Sequence, residues 1–325
     1  MTKVMWLRFG AAPLAFAAAF GVAITAAPAQ QFPAQDIHFF CGFPPGSGAD
    51  VLVRYFAEKV RPLTGKNIVV ENKVGAGGMM AMEAAARSKP DGYSMVFGPG
   101  VSASSFQYKS LPFDPVKDFT RVAAVVAFPF VLLINPRTTP VNNVAELGEF
   151  LKKKDKVSYG APNTLSLIGG AMFAETKDFK AEPIPYKSAA DAIRDLNAGD
   201  LDFIFNDAGF AFAQMREGRL KGLAVTLPHR TPNAPELPTM ADEDVPSVSF
   251  FGWMGVYMPA GVPPEITAKL QKWFTDIANS DETKEFYKKI GADSFTLTSD
   301  EFAKFEESEF KIWERRAKMA GVKPQ

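Results

Sequence analysis

Apolar and polar positions along this chain follow two periods in turn. Residues 37–41, 67–71 and 94–97 are short apolar runs bounded by Gly, Pro or polar residues, which predicts strands. Between the first two, Asp50 opens a stretch in which Val51, Leu52, Tyr55, Phe56 and Val60 recur at helical spacing. After the second, Gly75-Ala76-Gly77-Gly78 opens an Ala/Met-rich helix running to about Ser88. Strand, Gly-rich loop and helix in repetition predict a mostly parallel sheet covered on both faces.

A long apolar run at 122–134, interrupted by Pro129, leads into a second set of the same units. Helices are expected near 143–154, 166–176 and 188–198, and strands at 157–160, 184–186, 201–205 and 222–226. Pro228, Pro232, Pro235, Pro238 and Pro246 mark a long surface connection. Residues 252–258 form another apolar strand, and the C-terminal part reads as helical. Thr298 with Glu301 is a capping box for the last helix, which is expected to bury Phe302, Phe305, Ile312 and Trp313. The fold class is therefore α/β. Because two long strands bracket the second set, the economical reading is two lobes joined by a hinge of two crossing strands, with a cleft between them. Residues 30–127 and 252–325 form lobe I and residues 128–251 lobe II. A single large sheet gives much the same pattern.

The first 29 residues stand apart. Lys3 and Arg8 precede an Ala/Phe/Leu/Val-rich run that ends in Ala27-Pro28-Ala29, which predicts a signal peptide cleaved after Ala29 and export of a soluble protein. The whole chain of 325 residues balances 36 Lys+Arg against 36 Asp+Glu, and losing the leader leaves it slightly acidic. Such a charge offers no general attraction to nucleic acid or anionic lipid. One cysteine, Cys41, and two histidines, His38 and His229, argue against disulfides, zinc ribbons and His-rich metal sites. There is no GxSxG elbow and no P-loop.

The candidate chemistry therefore sits in the loops that leave strand C-termini: 43–48, 75–78, 98–105, 162–166 and 187–190. They are rich in Gly, Ser, Thr and Asn, and helix N-termini there suit a carboxylate or phosphate. They are poorly equipped to transform it. Bland readings stand beside these. Gly75-x-Gly77-Gly78 reads as a tight turn before a packed helix. Ser102, Ser104 and Ser105 are either a solvated loop or part of the site. Asp202, Asn206 and Asp207 suggest hydrogen bonding in a hinge or cleft, Cys41 a buried inert thiol, His38 a structural residue and His229 a solvated one.

The loop residues Phe43-Pro44-Pro45-Gly46-Ser47-Gly48-Ala49-Asp50 resemble the first ligand loop of the receptors of tripartite tricarboxylate transporters, the Bug family. The likeness continues through Val70-Glu71-Asn72-Lys73-Val74-Gly75-Ala76-Gly77-Gly78, Pro90-Asp91-Gly92-Tyr93 and Leu111-Pro112-Phe113-Asp114-Pro115. It reappears at Val157-Ser158-Tyr159-Gly160, Pro185-Tyr186-Lys187 and Pro259-Ala260-Gly261-Val262-Pro263. The resemblance implies a type II-like periplasmic binding protein that closes on a small organic acid and delivers it to membrane permease subunits. It implies a monomer with no cofactor and no catalytic residue. It places the ligand against Phe43, Gly46, Ser47, Gly48, Ala49, Asp50 and Ser102 in lobe I, and against Asn163, Thr164, Ser166, Lys187, Ser188 and Asn206 in lobe II. Leu167 stands where the family carries a His, and Phe205-Asn206-Asp207 where it usually has Phe-Asp-Asn. These departures leave room for a more apolar acid, lined by Phe43, Phe128 and Phe210. A ligand-sensing module for a membrane kinase is the alternative to transport; an exported enzyme acting on a carboxylate is a further one.

Overall fold

The apolar runs of the first set become β1 (Ile37–Cys41), β2 (Ile68–Asn72) and β3 (Ser94–Pro99), all parallel, with β1 in the middle. The computed structural model describes Thr2 and residues 32–102, 106, 108, 110–186, 188–319 and 321. The expected leader and its cleavage point, Ser104, Ser105 and Lys187 lie outside the described residues. In the second set β5 (Ser158–Ala161) runs parallel to β6 (Glu182–Pro185) and β7 (Phe203–Asp207) on either side. β6 ends the strand order and carries Pro183 and Pro185, whose missing N–H groups an edge tolerates.

One strand joins the sets. β4 (Phe119–Ile134) pairs over its N-terminal part with β9 (Phe251–Pro259) and with β10 (Asp293–Leu297), all antiparallel. Beyond Pro129 it pairs instead with β7 and with β8 (Lys221–Val225). Proline has no N–H to donate, so the exchange of partners falls where the ladder is already interrupted. The order β2-β1-β3-β9-β4-β7-β5-β6 is thus one connected sheet, and Pro33–Gln325 is one compact unit with the two sets at its ends.

Helices follow the parallel strands: α1 (Gly48–Thr64) and α2 (Met79–Ala86) in the first set, with α3 (Val144–Lys152), α4 (Thr164–Thr176), α5 (Ala189–Ala198) and α6 (Ala208–Arg216) in the second. α7 (Pro264–Asn279), α8 (Asp281–Ile290) and α9 (Ser299–Met319) complete the chain. The pattern predicts neither α6 nor β10, and it does not separate α8 within the helical C-terminal part. Side chains alternate across β4 with the strand period of two. Phe130, Leu132 and Ile134 enter a core with Tyr159, Phe173, Phe203 and Phe205, whereas Val131 and Leu133 enter another with Ile193, Leu196 and Ile204. A third core gathers Phe40, Met82, Val96, Trp253, Tyr257 and Phe302. Among the described residues no helix is long and apolar enough to cross a membrane.

The capping residues of α9 are as expected: Thr298 donates its N–H and hydroxyl to Glu301 Oε2 at 2.9 and 2.7 Å. Phe302 packs in the third core and Trp313 in the first, so this helix binds both ends of the sheet. Ile312 departs from expectation at 36% exposure. The buried stripe runs through 302, 306, 313 and 317, and Ile312 lies about 100° off it.

Candidate functional site

The loop after β1 is built around a buried carboxylate. Ser47 caps α1, accepting the Asp50 N–H at 3.3 Å. Asp50 in turn accepts from Gly46 N–H at 2.8 Å, Arg54 Nε at 2.9 Å and Asn72 Nδ2 at 2.7 Å. Asn72 Nδ2 also donates to the Phe43 carbonyl at 2.9 Å, tying the loop to the end of β2. The amides of Gly48 and Ala49, in the first turn of α1, have no intrahelical acceptor and carry the positive end of the helix. Burial would raise the Asp50 carboxyl, but hydrogen bonds from Arg54, Asn72 and Gly46 outweigh it and hold it below the ordinary value of 3.8. With the native value depressed, Asp50 stabilises the fold above the ordinary carboxylate range, and that contribution is lost as pH falls through the native value. Asp50→Asn is therefore expected to cost about 1–3 kcal/mol at pH 7. The deficit shrinks toward pH 3; a pH-independent deficit in urea titrations would count against this account.

The loops after β1, β2 and β3 meet closely. A Cβ on Gly42 would lie 2.5 Å from Gly78 Cα, and one on Gly78 would touch Pro99 at 3.5 Å and the Phe43 ring at 3.6 Å. Beyond β3, Ser102 is buried, and its Oγ has no partner among the described residues.

In the second set the same strand ends carry polar caps. Asn163 caps α4 and accepts from Ser166 N–H at 2.9 Å and Ser166 Oγ at 3.1 Å. Thr164 and Ser166 are buried, while Asn163 is exposed. Exposed Ser188 caps α5, accepting from Asp191 N–H at 3.2 Å and donating to its carboxylate at 2.8 Å. Asn206, one residue from the end of β7, is fully buried, and among the described residues neither its Oδ1 nor its Nδ2 has a partner. Asp207 caps α6, and burial pushes its carboxyl up. Leu165 reaches β4 and β9: a Cβ on Gly252 would meet its Cδ1 at 3.4 Å, Phe130 Cε2 at 3.5 Å and Phe128 Cβ at 3.6 Å.

Phe43, Gly46, Ser47, Gly48, Ala49 and Asp50 thus share one loop and helix start, with Ser102 at the end of the neighbouring strand β3. Asn163, Thr164, Ser166, Ser188 and Asn206 occupy the C-terminal ends of β5, β6 and β7. No hydrogen bond joins the two groups among the described residues. Asp50 is engaged by Gly46, Arg54 and Asn72, and Ser166 by Asn163. Asn72 and Leu165 were missed by the sequence reading, although a polar residue ending the apolar β2 run was a usable signal. Phe43 and Phe128 are half-buried, but Phe210 is 48% exposed. Cys41 is buried with its thiol pushed up by burial, His38 Nδ1 pairs with Glu71 at 2.6 Å, and His229 is exposed. Open depressions of about 630 and 830 Å³ lie elsewhere, one along Tyr108 and residues 110–115 and the other at the N-terminal ends of β1 and β3 beside His38 and Ser94.

Residues 52–322 match the model of the tripartite tricarboxylate transporter family receptor. Protein BugT of Bordetella pertussis (strain Tohama I) is 26% identical over 304 residues, covering 91% of this chain and 92% of that protein. Among solved structures, R. palustris Rpa4515 with adipate superposes with a TM-score of 0.81 at 26% identity, covering 90% of this chain and all of that one. The periplasmic binding protein BugD gives 0.77 at 29% identity, with 90% and 100% coverage. The α/β architecture, with its polar loops at strand ends, is that of a periplasmic binding protein, and the chain belongs to the Bug-type receptors of the tripartite tricarboxylate transporter family.

Proposed function

We propose that this chain captures a small organic acid in the periplasm and hands it to the membrane subunits of a tripartite tricarboxylate-type transporter. The observation that carries the reading is the polar lining at the strand ends: helix N-termini supply N–H groups to an anion, and Ser102 and Asn206 are buried there without partners. Among the described residues no nucleophile–base pair accompanies them, which favours holding a ligand over converting it. In this proposal residues 30–127 with 252–325 form lobe I and 128–251 form lobe II, hinged on β4 and β9. One carboxylate of the ligand meets Gly46, Ser47, Gly48 and Ala49; Asp50 holds that loop in shape. The lobe II contacts come from Asn163, Thr164, Ser166, Lys187, Ser188 and Asn206. The adipate bound by the R. palustris relative supports an aliphatic acid. So do Phe43, Phe128 and Leu165, which offer apolar surface.

Calorimetry and thermal shift with adipate, succinate, malate and benzoate test the reading. A ligand at a hundred times its Kd stabilises the native state by about 2.7 kcal/mol. That corresponds to a rise of about 5 °C in Tm. Absence of binding by every acid, together with native mass spectra of periplasm-purified protein that show no retained small molecule, would overturn it.

A further inference from the structure

Asn206 ends the apolar run of β7. Phe203, Ile204 and Phe205 are all fully buried and apolar, and Asn206 follows them with no exposure. Its side-chain amide offers two N–H donors and an accepting oxygen. Neither atom has a partner, and a buried unpaired amide weakens a folding or binding equilibrium by about ten- to a hundredfold. A leucine would continue the run without that penalty. The residue sits level with Val131 of β4 and immediately precedes Asp207, the cap of α6. It therefore stands where β7 delivers the chain to the loops of the second set, between the end of β5 and β4.

We infer that Asn206 selects the ligand by reading a neutral group that donates and accepts at once, a hydroxyl or a carboxamide, so that the preferred acid carries such a group. The inference rests on the organic-acid reading above and names the class of acid. A carboxylate only accepts: it satisfies Nδ2 and leaves Oδ1 buried without a donor. An ammonium only donates, which satisfies Oδ1 and strands both N–H groups. A hydroxyl or an amide fills both sides of Asn206. Sites built to bond such a group reject analogues that lack it far more strongly than apolar pockets reject a changed methylene.

The test is calorimetry of the full mature chain with matched acids: adipate against its monoamide and 6-hydroxyhexanoate, and succinate against malate. The wild type is expected to bind at least one donor-bearing acid about tenfold or more tighter than its partner. In Asn206→Leu that ratio is expected to fall to within about twofold of one, with Tm unchanged or raised because the unpaired amide is gone. If the wild type shows no such ratio, or if Asn206→Leu keeps the ratio and loses Tm, Asn206 serves a buried water and the inference fails while the receptor stands. If the wild type binds none of these acids, the receptor reading itself fails.

Discussion

Arg121→Met is expected to destabilise the native state by about 3–5 kcal/mol, because it leaves a buried carboxylate without its cation. Glu306, on α9, is fully buried and accepts from Arg121 Nε at 2.7 Å and from the Tyr257 hydroxyl at 2.8 Å. Burial pushes its carboxyl up, opposed first by the Arg121 charge. Arg121 does a second job with its remaining donors. Nη1 bonds the carbonyls of Val116 and Phe119 at 2.7 and 3.1 Å, and Nη2 bonds that of Pro115 at 2.8 Å. The sign of the pH dependence follows from the raised native value. The stabilising part is present in full below the ordinary carboxylate range and is lost as pH rises through the native value. Removing Arg121 raises that value further, so the deficit in urea titrations is expected to be larger at pH 8 than at pH 5. Adding Glu306→Gln keeps an acceptor for Tyr257 and is expected to recover part of the loss. A deficit below about 1 kcal/mol in the single variant would mean that Glu306 remains hydrated.

The parallel parts of the sheet were legible because their periodicity is simple. Residues 37–41 read as β1 to the residue, and Ser188 and Thr298 sit at helix starts as capping chemistry demands. α6 and β10 escaped, and α8 was not told apart from α7, each for a physical reason. α6 is apolar nearly all round, through Phe210, Ala211, Phe212 and Ala213, so no amphipathic stripe announced it. α8 follows α7 with only Ser280 between them, closing one helix and capping the next. β10 is a short, half-buried strand whose pairing with β4 is set by tertiary contact. At the site, residue types were readable but their commitments were not. The family resemblance places Asp50 against the ligand. The hydrogen bonds that absorb it come from Asn72 and Arg54, and the Asn72 contact exists only once β2 lies beside β1. The unpartnered state of Asn206 is likewise a property of the packed chain, since any Asn in a sequence has partners available to it.

Gly42→Ala is expected to weaken organic-acid binding about tenfold or more while costing about 1–3 kcal/mol of stability. The added methyl would lie 2.5 Å from Gly78 Cα and 3.0 Å from Gly78 O, and both are backbone atoms with no rotamer to yield. Relief requires separating the loop after β1 from the loop after β2. Phe43 follows Gly42 directly, and its ring would stand 3.6 Å from a Cβ on Gly78, so the two loops share this contact. Any separation therefore moves Phe43 and the amides of 46–49 that are proposed to hold the ligand carboxylate. A matched control isolates this from general destabilisation. Gly65 closes α1 at its far end with φ +64° and open space around its missing Cβ, so Gly65→Ala is strained locally and touches neither loop. It is expected to cost about 1 kcal/mol with affinity unchanged. Isothermal titration of both variants with the tightest acid of the panel compares them directly. Wild-type affinity in Gly42→Ala would show that the contact between these two loops does not shape the anion site; equal losses in both variants would show that affinity merely follows stability.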